Sequence, residues 1–94
     1  MLIKDQLREK KNMSNNEKIV ANYLLKADEN IEKDTVRTVA EKTYTSPSTI
    51  IRLCHKLGFT GFSDFKNKFL NEVKYFNLQF QNVDVNFPFR REDT

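Results

Sequence analysis

Between Ser46 and Lys56 the chain reads Ser-Pro-Ser-Thr-Ile-Ile-Arg-Leu-Cys-His-Lys, with hydroxyls gathered at one end and cations at the other. The Ser46 hydroxyl can accept from the unpaired amides of a first helical turn, and Pro47 at the first helical position gives up no needed donor, so a helix is predicted to begin there. Within it Ile50, Leu53, Cys54 and Leu57 recur at i, i+3, i+4 and i+7 as a buried stripe, which leaves Ser48, Thr49, Arg52, His55 and Lys56 on the outer side. Such a face recognises rather than breaks bonds. Ser46, Ser48, Thr49 and the first-turn amides stand where a phosphate or a base edge could accept from them. Arg52, one turn deeper, carries the planar fork that matches guanine O6 and N7, a contact worth roughly 1 to 3 kcal/mol of discrimination. A structural alternative is that Arg52 pairs with a carboxylate of a neighbouring helix. His55 and Lys56 are placed to touch the phosphate backbone, with Tyr44 and Lys42 beside the preceding turn and Lys66 on the following helix as a weaker candidate.

Catalysis finds no comparable set of residues. His55 is the sole histidine, and Cys54 next to it lies about 100° around a helix, so the two cannot act together as base and nucleophile. No glycine loop suited to phosphates and no metal-ligand spacing occurs, so neither an enzyme nor a cofactor is expected.

A reading helix needs a support that crosses it closely. Ala40, ten positions before Ile50, supplies the small residue for such a crossing, and Val36 to Thr43 reads as a helix capped by Thr35, with Val36, Val39 and Ala40 inward. Two helices and a tight turn make a helix-turn-helix, whose second helix fits a major groove roughly 12 Å wide. A glycine followed by an aliphatic residue is common in this turn, whereas Tyr44 and Thr45 stand there. Gly58, just past the last periodic residue, stops the reading helix.

The remaining elements make an all-α bundle of about five helices. Residues 2–11 form a short helix with Leu2, Ile3 and Leu7 on one side; too short to stand alone, it must dock on the domain's own core or on a second subunit. Ser14-Asn-Asn-Glu17 is a capping box opening a helix with Ile19, Val20, Tyr23, Leu24 and Ala27 on its apolar face. An acidic turn from Asp28 to Asp34 follows, anchored by Ile31. Phe59 and Phe62 plug the base of the bundle, base stacking being the alternative. A last helix capped by Ser63 runs from Asp64 to about Asn77 with Phe65, Phe69, Val73 and Phe76 inward. From Leu78 polar and apolar residues alternate, so residues 78–94 read as an extended connector and residues 1–77 as the domain.

Ninety-four residues suffice for one small domain that buries about 60 to 65% of its unfolded surface. The net charge of +3 is unevenly spread. Residues 47–77 carry Arg52, Lys56, Lys66, Lys68 and Lys74 against Asp64 and Glu72, whereas residues 28–42 carry five carboxylates against Lys33, Arg37 and Lys42. The positive excess thus begins with the proposed reading helix, although charge runs are commonly just solvated faces. No run is long and apolar enough for a bilayer and no charged-then-apolar leader opens the chain, so a cytoplasmic protein without membrane contact is expected.

Three segments, Thr35-Val-Arg-Thr-Val-Ala40, Ser46-Pro-Ser-Thr-Ile-Ile-Arg52 and Leu57-Gly-Phe-Thr-Gly-Phe-Ser-Asp-Phe-Lys66, resemble the N-terminal domain of the RpiR-type transcriptional regulators of sugar-phosphate metabolism. The likeness covers about residues 2–76. It implies a bacterial repressor or activator that binds double-stranded DNA, acts as a homodimer in full length, and takes a phosphosugar effector only on a further, isomerase-like domain not contained in this chain. One reading helix covers a half-site, so specificity calls for two copies about 34 Å apart or a multiple of that. The competing reading is a helical protein-interaction module with a basic face and no DNA readout. Duplex RNA suits the helix poorly, because its major groove is deep and narrow.

Overall fold

The computed structural model describes residues 2–86, with side chains described for residues 2–78. The elements are α1 (Ile3–Glu9), α2 (Asn15–Ala27), a 3-10 turn (Asp28–Lys33), α3 (Val36–Thr43), α4 (Pro47–Lys56) and α5 (Phe62–Asn86). No strand occurs among the described residues, and the fold is all-α as expected.

Because α1 is short, it owes its place to others. Ile3 and Leu7 are buried in the core of the same chain, and the Glu72 carboxylate of α5 accepts from the amides of Ile3 (2.7 Å) and Lys4 (3.1 Å). An acid supplied from the far end of the chain therefore caps a helix whose own N-cap residue, Leu2, offers no side-chain acceptor. In α2 the capping box forms in full, with Glu17 N donating to Ser14 Oγ and Ser14 N to Glu17 Oε1. Its buried face is Glu17, Val20, Ala21 and Leu24, while Ile19 is 48% exposed. The expected stripe was thus turned by one residue, since Glu17 takes an inward position that a count of apolar residues passes over.

Ile31 anchors the 3-10 turn and is fully buried. Thr35 then caps α3, its hydroxyl accepting from Thr38 N. At the other end Tyr44 lies in the left-handed region (φ 57°), where Tyr44 N donates to Glu41 O and Thr45 N to Ala40 O. The chain here makes the two crossed bonds of a Schellman ending with a tyrosine where glycine is usual. Thr43 Oγ1 donates back to Val39 O (2.7 Å) and meets Thr45 Oγ1, so the turn's hydroxyls are satisfied internally.

The same motif ends α4 with the residue it favours. Gly58 has φ +96°, its amide donates to His55 O and the Phe59 amide to Cys54 O. A Cβ at Gly58 would meet no atom within 4 Å, so a side chain there is opposed by backbone conformation alone. Gly58→Val is expected to lower stability by at least about 1 kcal/mol. Denaturant unfolding of the two proteins measures this, and an unchanged midpoint would show that the positive φ is not required.

Helix α5 begins two residues earlier than expected, at Phe62, so Ser63 is not its cap. Asp64 instead turns back to accept from Thr60 N (3.0 Å). The helix also continues to Asn86 rather than ending near Asn77, so the alternating segment is helical as far as it is described. No glycine or proline lies between Gly61 and Pro88. Once a helix is running, each further residue adds a hydrogen bond, whereas an extended segment would need a strand to pair with. Residues 87–94 lie outside the described residues. The core closes on α5 through Phe65, Phe69, Leu70 and Val73, with Phe76 half-buried. Phe65 and Phe69 stack at 5.3 Å, and Phe59 meets Phe65 edge-on at 5.5 Å. Phe62 is also buried, so these rings plug the bundle rather than offer stacking surfaces.

Candidate nucleic-acid interface

Helices α3 and α4 are joined by the turn at Tyr44 and Thr45 and pack on each other. Ile50, Leu53 and Cys54 turn α4 inward, and the opposite side shows Ser48, Ile51, Arg52, His55 and Lys56. Ser46 caps α4, accepting from Thr49 N at 3.3 Å. Thr49 does not belong to the outer face: it is 7% exposed and its hydroxyl lies 3.1 Å from Ser46 Oγ. Thr49 sits on the shoulder of the apolar stripe, where its methyl is sheltered and its hydroxyl finds a partner in the cap. Thr49 is therefore not placed for the base contact expected of it, and its hydroxyl instead meets the Ser46 cap.

Partners sort the remaining candidates. His55 Nε2 lies 3.1 Å from Thr60 O, which ties the ring to the loop after α4. Lys56 Nζ donates to Glu17 Oε1 and to Asn12 O, both at 2.7 Å. Lys42 Nζ is 3.2 Å from Asp34 Oδ1, and Lys66 Nζ donates to the carbonyls of Glu32 and Asp34. Lys68 pairs with Asp64, and Lys74 lies 3.8 Å from Glu32. Much of the positive excess after residue 47 thus answers the acidic turn or local carboxylates. Among the described residues Arg52 alone of those five cations has neither an ion pair nor a hydrogen bond. Ser48 is exposed, and Tyr44, 94% exposed, holds its ring out from a strained turn. Ile51, 39% exposed between these polar groups, was not anticipated; a second isoleucine breaking the 3.6-residue stripe is the signal that could have exposed it.

Two carboxylates beside α3 and α4 are buried. Asp34 accepts from Tyr23 Oη, Thr38 Oγ1 and Lys42 Nζ, bracing α2 against α3. Burial alone would raise the acids of Asp34 and Glu17. The hydrogen bonds from Tyr23 and Lys42 at Asp34, and from Lys56 and the Ser14 amide at Glu17, outweigh it and hold both below the ordinary carboxylate range. A lowered folded-state pKa contributes stability that is present above the unfolded value and lost as pH falls through the folded one. The wild type should therefore melt higher than Glu17→Gln at pH 7, and the gap should close as pH falls below about 4.3, the ordinary glutamate value. Thermal melts from pH 7 to 3 test this; a gap that widens in acid would reverse the sign.

Burial pushes the Cys54 thiol up to about 12, and the residue is 1% exposed, so it stays a protonated core residue rather than a nucleophile. Among the described residues no group of three or more acids, histidines or cysteines could hold a metal, and no helix is long and apolar enough to cross a membrane.

Two helices joined by a tight turn, the second capped, exposed and bearing an unpaired arginine, define a helix-turn-helix domain of the DNA-binding kind. Residues 1–74 match the helix-turn-helix domain of the rpiR family, and the chain belongs to that family of transcription regulators. A solved structure, the Vibrio vulnificus NanR protein complexed with ManNAc-6P, is similar with a TM-score of 0.73 and 29% identity over 77% of this chain. The chain spans 28% of that neighbour's length. A search of curated proteins finds no match. The domain that this family defines is the DNA-binding domain of transcription regulators.

Proposed function

We propose that this chain reads duplex DNA by laying α4 in the major groove, as the DNA-binding part of a regulator that answers to a sugar phosphate. The carrying observation is Arg52, exposed on the outer face of α4 and without a partner among the described residues, so its fork is free for a base edge. Ser46 and Ser48 at the helix N-terminus, with Tyr44 at the turn and His55 further along, are assigned to phosphates. Lys42, 57% exposed at its side chain, can reach a phosphate while its partner Asp34 stays buried. Residues 1–77 act as the reading domain, and residues 78–94 lead toward a phosphosugar-binding domain outside this chain. The sugar phosphate complexed with the NanR neighbour and that neighbour's greater length support the effector class. Two copies acting in the cytoplasm would place two reading helices on successive turns of one operator.

Binding to random duplex DNA tests the reading. Measurable affinity at low salt should fall steeply toward moderate salt, with a log–log slope of about −0.9 per phosphate contacted. Absence of binding at low salt would favour the protein-interaction module instead.

A further inference from the structure

We propose that Glu17 and Lys56 form a pin that fixes α4 on the domain and so positions Arg52, which makes Lys56 a positioning residue rather than a phosphate contact. The proposal rests on the DNA-reading role of α4 given above and assigns it a device.

Glu17 is fully buried, yet a capping box needs neither burial nor charge, since a glutamine at that position accepts from the same amide. Burying an ionised carboxylate is costly, and here one oxygen carries the whole compensation: Oε1 accepts from Ser14 N (2.8 Å) and Lys56 Nζ (2.7 Å), while Oε2 is buried with no partner among the described residues. Groups of this kind are weak sources of stability, and their best-attested use is to fix one arrangement among several.

What the pair fixes follows from its reach. Lys56 ends α4, and its ammonium joins that end to the first turn of α2 and to the Asn12 carbonyl of the α1–α2 link. In this link Lys10 and Asn12 both hold positive φ, so its path is set by its surroundings rather than by its own preference. Arg52 and Lys56 are four residues apart and share one side of α4. The Ser46 cap holds one end of the helix and the pin holds the other, with Arg52 between them. A reading side chain displaced by about 1 Å loses its match to a base edge. Two of the three ammonium protons are already committed to Glu17 and Asn12, which leaves Lys56 poorly placed to neutralise a phosphate.

The test uses a duplex enriched from a random pool by the wild-type protein, a scrambled duplex of equal composition, and the variants Lys56→Gln, Glu17→Gln and Arg52→Ala. Lys56→Gln should lower the enriched-to-scrambled affinity ratio at least about fivefold and add no further loss on the Arg52→Ala background. Its salt slope on the scrambled duplex should stay within about half a unit of wild type, whereas a lost phosphate contact would reduce it by about one. Glu17→Gln should lower the ratio in the same way; if it fails to fold by circular dichroism, Lys56→Gln decides alone. A ratio left intact by Lys56→Gln, or a slope reduced by a full unit, overturns the pin. Wild-type protein that enriches no duplex would overturn the reading of α4 itself, an outcome distinct from wild-type selectivity that survives Lys56→Gln.

Discussion

Phe65→Ala should lower the stability of the domain by about 3 to 5 kcal/mol, most of what a chain of this size commonly has in reserve. Phe65 is fully buried and touches three other rings: it stacks on Phe69, lies against Phe62 and receives the edge of Phe59. Its removal leaves a cavity that the other three cannot collapse into without giving up their own geometry. The effect would reach the reading helix, because Phe59 is the residue whose amide closes the end of α4 on Cys54 O. A fall in the melting midpoint of more than about 10 °C is expected from thermal denaturation. A shift below about 4 °C would show that this ring cluster does not hold the bundle shut.

The second large effect is on recognition. Arg52→Ala should cost about 1 to 3 kcal/mol on a duplex chosen by the wild-type protein, roughly a 5- to 150-fold loss. On a scrambled duplex the loss should be no more than one surface charge contributes. The distinction follows from the absence of any ion pair or hydrogen bond to this side chain among the described residues, so its truncation breaks none. Equilibrium titration of both duplexes gives the answer, and equal losses on the two would remove Arg52 from readout.

The helices were legible in the sequence because their ends are written in local chemistry. Ser14 with Glu17, Thr35, Ser46 with Pro47 and Gly58 each act within a few residues, and all four boundaries stand where those signals put them. Signals depending on distant residues were not legible. Lys56 reads as a free cation until Glu17, thirty-nine positions away, is found beneath it. Lys42 reads the same way until the buried Asp34 carboxylate is found beside it, and Lys66 until the backbone carbonyls of Glu32 and Asp34 are. The Thr49 hydroxyl suggests an outward place, although its angular position belongs to the shoulder of the stripe and the residue is buried. The turn shows the converse: Tyr44 departs from the usual glycine, yet the backbone takes the left-handed conformation regardless, because the crossed hydrogen bonds of the ending and the packing of α3 on α4 require it. A 3.6-residue count could not foresee that α5 would run on past Leu78, for the period-two alternation there reports composition and not what the preceding turns impose.

The Glu72 cap on α1 has a bearing on how the protein is made. Residues 3 and 72 must meet before the first helix has an acceptor for its leading amides. During synthesis, which proceeds N-terminus first, α1 therefore emerges without its cap and waits until α5 has cleared the ribosome as far as Glu72. A chain released short of residue 72 would therefore carry a first helix whose leading amides lack this acceptor and whose first turn frays.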